Sequence, residues 1–297
     1  MLQVQNAVLI LGALFLLFVT FYVGKKFEYW KYQIATRNKP KLDTTEANRF
    51  GDASVEELVA TGLVQENLGN WQDAADRFIA AKHKNLEYPD LLFRTAKLYY
   101  DHGRFDVADG LFERAIAFRE NVDTANYYRG MIATGRRDYP AGERFYEAAA
   151  NAAPFNADYF YSWAEALRRD HRLKDAVTRY GDAAMRAGEA EQNLCRFKMR
   201  MTMLEAGETA QVSLDLGEQR KLGPLSVDWL LTDAALQIQA GRIEDAARLA
   251  EEARASDRSL LRGNFAACVG DKFFSEVANN YPQLEAALRL QATPSPP

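Results

Sequence analysis

Residues able to carry out a reaction are few in this chain, and none stands in a pattern that a reaction needs. The two cysteines, Cys195 and Cys268, lie far apart in sequence, and the three histidines, His83, His102 and His171, are scattered. Zinc sites and disulfide frameworks draw on closely spaced Cys and His, so no metal site and no disulfide scaffold is expected. There is no Gly-rich phosphate loop, GxSxG elbow, HExxH helix or CxxC pair. Asp101, Asp106 and Asp109 are near one another, but they fall at helix ends and on polar faces, where carboxylates serve solubility. No cofactor is expected, and catalysis is the least expected function. The cysteines read as small core residues, and the histidines as residues on or near turns.

The chemistry that does recur is that of recognition. Phe93, Tyr127, Tyr161 and Phe197 follow one another at nearly equal steps, with Val59 and Leu231 at the same offset on either side. Four residues on, one turn along the same helical face, come Leu63, Lys97, Met131, Glu165, Met201 and Ala235, and Tyr128 flanks the ring at 127. Aromatic and Met side chains offer large contact area and adaptable packing. Phe93, Tyr127, Tyr128, Met131, Tyr161, Phe197 and Met201 are therefore the candidate partner-binding residues. A shift of one step in register turns the same rings into packing between neighbouring repeats, and both readings stay open at this level.

Positioning such a ladder requires a repeated element, and the sequence contains one. The stretch 98–115, LYYDHGRFDVADGLFERA, reads as the end of a helix, a tight turn at Gly103 and a second helix with Phe105, Ala108, Phe112 and Ala115 on one face. The same offsets hold Trp71, Ala74, Phe78 and Ala81, then Tyr139, Gly142, Tyr146 and Ala149, then Leu173, Ala176, Tyr180 and Ala183, and finally Ile243, Ala246, Ala250 and Ala253. The turn positions Gly69, Gly103, Arg137, His171, Gly207 and Gly241 are evenly spaced apart from one slightly longer step, between His171 and Gly207. Two helices per period of about 34 residues resembles the tetratricopeptide repeat (TPR) family. The resemblance covers about 55–257; Arg137 and His171 depart from the turn glycine, and Val212 and Leu216 depart from the Ala-and-aromatic pattern. It implies an all-α, right-handed α-solenoid of about six helix pairs that binds other proteins in its concave groove, as an extended peptide or a helix. Some TPR domains grip acidic chaperone tails through Lys, Arg and Asn at groove positions. Here those positions are mainly apolar or aromatic, with Lys97 and Arg94 as exceptions, which speaks against such a receptor.

The ends differ from the middle. The stretch 4–23 is almost wholly apolar and about the length that crosses a bilayer core, roughly 30 Å. No basic residue precedes it and no A-x-A site follows, so a retained anchor is expected over residues 1–24 rather than a cleaved leader. Residues 25–54 form a basic and aromatic juxtamembrane stretch and linker, with Lys25, Lys26, Lys31, Arg37, Lys39 and Lys41 against Glu28 up to position 41. The positive-inside tendency then puts the repeats in the cytoplasm. An array on the outer side of the membrane, serving envelope assembly, is the alternative. The repeats are assigned to 55–257, capping helices to 258–292, and a disordered tail to 293–297. Beyond position 41 acidic residues outnumber basic ones, which argues against nucleic acid as a partner. No small-molecule substrate is expected. The layout resembles membrane-anchored bacterial TPR proteins, and it leads to a membrane-tethered scaffold for protein–protein interaction.

Overall fold

A computed structural model describes residues 50–256 together with Cys268, Val269, Asp271 and Tyr281. The expected anchor at 1–24, the stretch 25–49 and the tail 293–297 lie outside the described residues, as does most of 258–292. Among the described residues no helix is long and apolar enough to cross a membrane.

The described chain is all-α and holds twelve helices: α1 Val55–Asn67, α2 Trp71–Lys84, α3 Leu91–Asp101, α4 Phe105–Ala117, α5 Val122–Gly135, α6 Tyr139–Ala152, α7 Ala157–Arg169, α8 Leu173–Ala184, α9 Glu189–Glu205, α10 Thr209–Leu222, α11 Val227–Gln239 and α12 Ile243–Ser256. They succeed one another as six helix–turn–helix units, each odd-numbered helix being the first of its unit. The longer step of the repeat falls where α9, at 17 residues, exceeds the other helices. Ser54 caps α1 by accepting a hydrogen bond from the Glu57 amide at 3.1 Å, the bond a Ser-x-x-Glu start predicts.

All six turn positions, Gly69, Gly103, Arg137, His171, Gly207 and Gly241, have φ between 59° and 81°. At each, the next residue's N–H donates to the carbonyl five residues back, as from Arg104 to Tyr99, Asp138 to Ala133 and Arg172 to Leu167. This is the Schellman closure, which satisfies the carbonyls left open at a helix end. Arg137 and His171 adopt the conformation that glycine adopts without steric cost, so the turn does not need glycine where the flanking helices hold it.

The small residues of the repeat do what their size predicts. Ala74, Ala108, Ala176 and Ala246 are fully buried, as are Phe78, Phe112 and Tyr180 one turn on, with Tyr146 nearly so. Val212 and Leu216 are buried as well: bulkier side chains fill the same two positions. Phe105, grouped with that face by its spacing, is instead 46% exposed. At Gly62 in α1 and Gly130 in α5, a ring has taken the space of a side chain. A Cβ at Gly130 would meet the Tyr146 ring at 2.7 Å, and one at Gly62 would meet Phe78 at 2.6 Å.

The chain divides into two compact units. Unit 1 contains α1, α2 and α3 together with Ala117–Glu120, the last residue of α4 and the loop after it; unit 2 contains α4 from Phe105 to Ile116 and everything from Asn121 onward. In unit 1, α2 packs on both α1 and α3. In unit 2, α5 packs on α6, α7 on α8 and α11 on α12; the first helices also touch, α5 with α7 and α9 with α11.

Candidate partner-binding wall

The first helices of unit 2 carry most of the predicted site, and each residue there has a definite position. Tyr127, on α5, is partly buried, with its ring 5.1 Å from Tyr159 and 6.1 Å from Tyr146. Its hydroxyl lies 3.2 Å from Ser162 Oγ on α7. Tyr128 stacks on Phe112 at 5.0 Å with the rings 3° from parallel. Met131 packs, partly buried, against the cluster of Tyr146, Trp163 and Tyr180. Tyr161, on α7, meets Tyr180 edge to face at 5.7 Å. These rings pack between successive helix pairs and still keep part of their surface open. At Tyr127 and Tyr161 the rings therefore make the packing contacts of one reading while remaining partly exposed. Phe93 is partly buried on α3, in unit 1.

Phe197 and Met201 require a correction. Both are fully buried on α9, in one apolar cluster with Leu231, Ala235 and Cys268. They do not line an open surface. The offset is the same as at Tyr127, but at this end the cluster includes a residue from beyond α12.

That residue belongs to a polar arrangement the spacing did not reveal. Asp271 is fully buried, and its amide donates to the Cys268 carbonyl at 3.0 Å, closing a turn. Its carboxylate accepts from Arg168 on α7, at 2.8 and 3.1 Å, and from Lys198 on α9, at 2.7 Å. Arg168 also pairs with Glu205 of α9, and Lys198 lies 3.9 Å from Glu165, which accepts from the Tyr180 hydroxyl at 2.6 Å. Burial pushes the Asp271 carboxyl up, but the hydrogen bonds and charges of Arg168 and Lys198 outweigh it and hold the group below its ordinary value. Burial likewise lowers Arg168, yet the bonds to Glu205 and Asp271 raise it overall. The Cys268 thiol is pushed up to about 12 by burial and the nearby Asp228 charge, so it stays protonated. Beside it Arg200, on α9, donates to Asp228 at 2.6 Å and Thr232 at 2.9 Å, with the Trp229 ring 3.8 Å away.

The tyrosine hydroxyls of the wall are held protonated. Tyr159 is raised to about 12 by burial, with Asp123 accepting from its hydroxyl at 2.9 Å; Tyr161 and Tyr180 are raised by burial and by the Glu165 charge. Such hydroxyls donate hydrogen bonds and do not ionise near neutral pH. Among the described residues no cluster of His, Cys, Asp or Glu could hold a metal ion. Asp101, Asp106 and Asp109 pair with Lys97, Arg136 and Arg129 respectively, a use that suits their positions at helix ends. His102 ends α3 and stacks on Trp71 at 4.3 Å, and His171 forms a turn.

Six left-handed Schellman turns at a near-constant period, each between two successive helices, decide the class of the array. It is tetratricopeptide-like. No protein-family model matches the chain, and no curated protein matches it either. Solved structures similar to it include PilF of Pseudomonas aeruginosa, at 13% identity over 76% of this chain and 97% of that one, with a TM-score of 0.49. YrrB, described as a TPR protein with an unusual peptide-binding site, is 17% identical over 66% of this chain and 97% of its own, with a TM-score of 0.46. MamA of Desulfovibrio magneticus RS-1 is 15% identical over 70% and 97%, with a TM-score of 0.44. The assignment of the TPR-like array rests on the chain's own period and turns.

Proposed function

We propose that this protein is a membrane-tethered scaffold that binds a segment of another protein along the first helices of unit 2. The observation that carries the reading is the pair of tyrosines Tyr127 and Tyr161. Each ring is fixed by aromatic neighbours, and Tyr127 by a hydroxyl contact as well, while part of its surface remains open. Rigid aromatic groups of this kind lose little freedom on binding and make effective interface anchors. Met131, one turn from Tyr127, adds an adaptable apolar surface beside it. The apolar stretch 1–24 provides the tether, and the basic stretch after it favours a cytoplasmic array.

A photo-crosslinking phenylalanine derivative placed at Tyr127 or at Met131 keeps an apolar body at the site. In cells, both positions should yield the same crosslinked protein. The derivative at Phe155, in the loop between α6 and α7 and 87% exposed, should not. Crosslinks from Phe155 alone, or different proteins from Tyr127 and Met131, would remove the wall as the binding surface. A reporter fused after Lys41 tests the orientation separately: activity on the outer side refutes the cytoplasmic array.

A further inference from the structure

We propose that the chain supplies its own ligand to this wall: Cys268 and Asp271 occupy its α7–α9–α11 end, and a partner segment must displace Asp271, with a carboxylate of its own, to bind there. The inference rests on the partner-binding reading and adds to it the chemistry of the partner's anchor and the means of its regulation.

Two independent contacts define the occupancy. The first is ionic: the Asp271 carboxylate takes three hydrogen bonds from Arg168 and Lys198, side chains of two successive first helices. The second is apolar: Cys268 lies in the cluster that buries Phe197, Met201, Leu231 and Ala235. Those four residues stand at the two offsets that, on α5 and α7, leave Tyr127, Met131 and Tyr161 partly open. The wall thus changes from open to covered where the chain's own later residues reach it.

The charges around Asp271 suit an occupant that can leave. Arg168 keeps Glu205 when Asp271 departs, and Lys198 keeps Glu165 at 3.9 Å. Undocking therefore leaves neither cation without a countercharge, the loss that makes breaking an ordinary buried ion pair so costly. What it does leave is a guanidinium and an ammonium short of one acceptor, beside an apolar strip. That combination fits an acidic side chain flanked by small or apolar residues, which is what Ala266, Ala267, Cys268, Val269 and Asp271 present in sequence.

The test uses the full chain with Cys195→Ala, which leaves Cys268 as its single thiol. Maleimide labelling of Cys268 is followed at increasing urea below the unfolding transition. A displaceable occupant opens locally, so the rate should depend little on urea, because the urea slope reports the surface exposed on opening. Asp271→Asn removes charge-assisted bonds and should speed labelling about tenfold or more. A fluorescein-tagged peptide of residues 264–276 carrying Cys268→Ser should then bind the Asp271→Asn chain and, by taking the place of its own segment, speed the labelling of its Cys268 further. The same peptide with Asp271→Asn should not. Labelling only with the urea slope of global unfolding would overturn the proposal, as would an Asp271→Asn chain that takes up no peptide. The urea dependence of the unsubstituted Asp271 chain decides the first point even if Asp271→Asn fails to fold. None of these readouts needs the partner, so a failed crosslink at Tyr127 with an intact Cys268 result marks the partner-binding reading as the one at fault.

Discussion

Replacing Glu120 with leucine should destabilise unit 1 far beyond what a loop residue normally does. Arg119 and Asn121 on either side of it have positive φ, 60° and 44°, and the bend turns Glu120 inward until its side chain is only 4% exposed. One carboxylate oxygen accepts from Lys82 Nζ at 2.5 Å. The other accepts from the amides of Leu92 and Phe93 at 2.8 and 3.1 Å, which caps α3 from far along the chain. Lys82 is 5% exposed, donates also to the Tyr88 carbonyl at 2.7 Å and sits 4.7 Å from the Phe118 ring. Glu120→Leu strands that ammonium and leaves two helix-start amides without their acceptor. Breaking a buried pair from one side costs about 3–5 kcal/mol. Lys82→Met should cost less, about 1–3 kcal/mol, because Glu120 keeps two amide donors at a helix N-terminus. The double variant Lys82→Met/Glu120→Leu carries no buried charge and should be more stable than Glu120→Leu alone by about 1 kcal/mol or more. Urea unfolding gives the three values, and hydrogen exchange over residues 91–97 locates the change. A Glu120→Leu chain within about 0.5 kcal/mol of the parent, the range of an ordinary surface substitution, would refute the reasoning. So would a double variant weaker than the single one.

Three further outcomes follow from the fold. Arg137→Gly and His171→Gly should each stabilise unit 2 by about 0.5–1 kcal/mol, since glycine relieves the left-handed strain and gives back part of the gain as chain entropy; lower urea midpoints would contradict the turn geometry. Ala108→Leu, at a fully buried position, should cost about 1–3 kcal/mol by overpacking, and a neutral result would mean the repeat register is wrong. Asp271 should make unit 2 acid-sensitive. Its folded carboxyl lies below the ordinary value, so its contribution is complete above the unfolded value of about 3.9 and is lost as pH falls through the lower, folded value. The difference in urea midpoint between the parent and Asp271→Asn should accordingly hold above about pH 4 and shrink below it.

The repeat was legible because its signals are local. A helix announces itself by apolar spacing, and a turn by the residue that can adopt positive φ, so Gly69, Gly103, Gly207 and Gly241 could be read directly. Arg137 and His171 could be placed by period alone, since their side chains give no hint of the conformation they adopt. Phe105 marks where spacing stops deciding burial: its offset puts it on the buried face and the structure leaves it nearly half exposed. The division into two units was not legible at all. It runs through the α3–α4 helix pair, and Ala117–Glu120 belong with unit 1 through a pair, Lys82 and Glu120, that are distant in sequence. No periodic pattern records a contact of that range.

The same distinction explains the candidate site. An offset within a repeat fixes the direction in which a side chain leaves its helix, and Tyr127, Tyr161 and Phe197 share that direction by construction. Whether the side chain then meets solvent depends on what else arrives there. For Phe197 and Met201 the cluster includes Cys268, from beyond the last repeat, and Asp271 reaches still further back along the chain, to Arg168. Neither Arg168 nor Lys198 stands at the offsets of Tyr127 and Met131, so the carboxylate pocket lies between the positions that the repeat pattern singles out. The signal available in the sequence was chemical rather than periodic: one aspartate, Asp271, in a run of small and apolar residues just beyond a repeat array. In a solenoid the likeness between repeats ends at the surface they build together, and the residues that break the period are the ones to test against it.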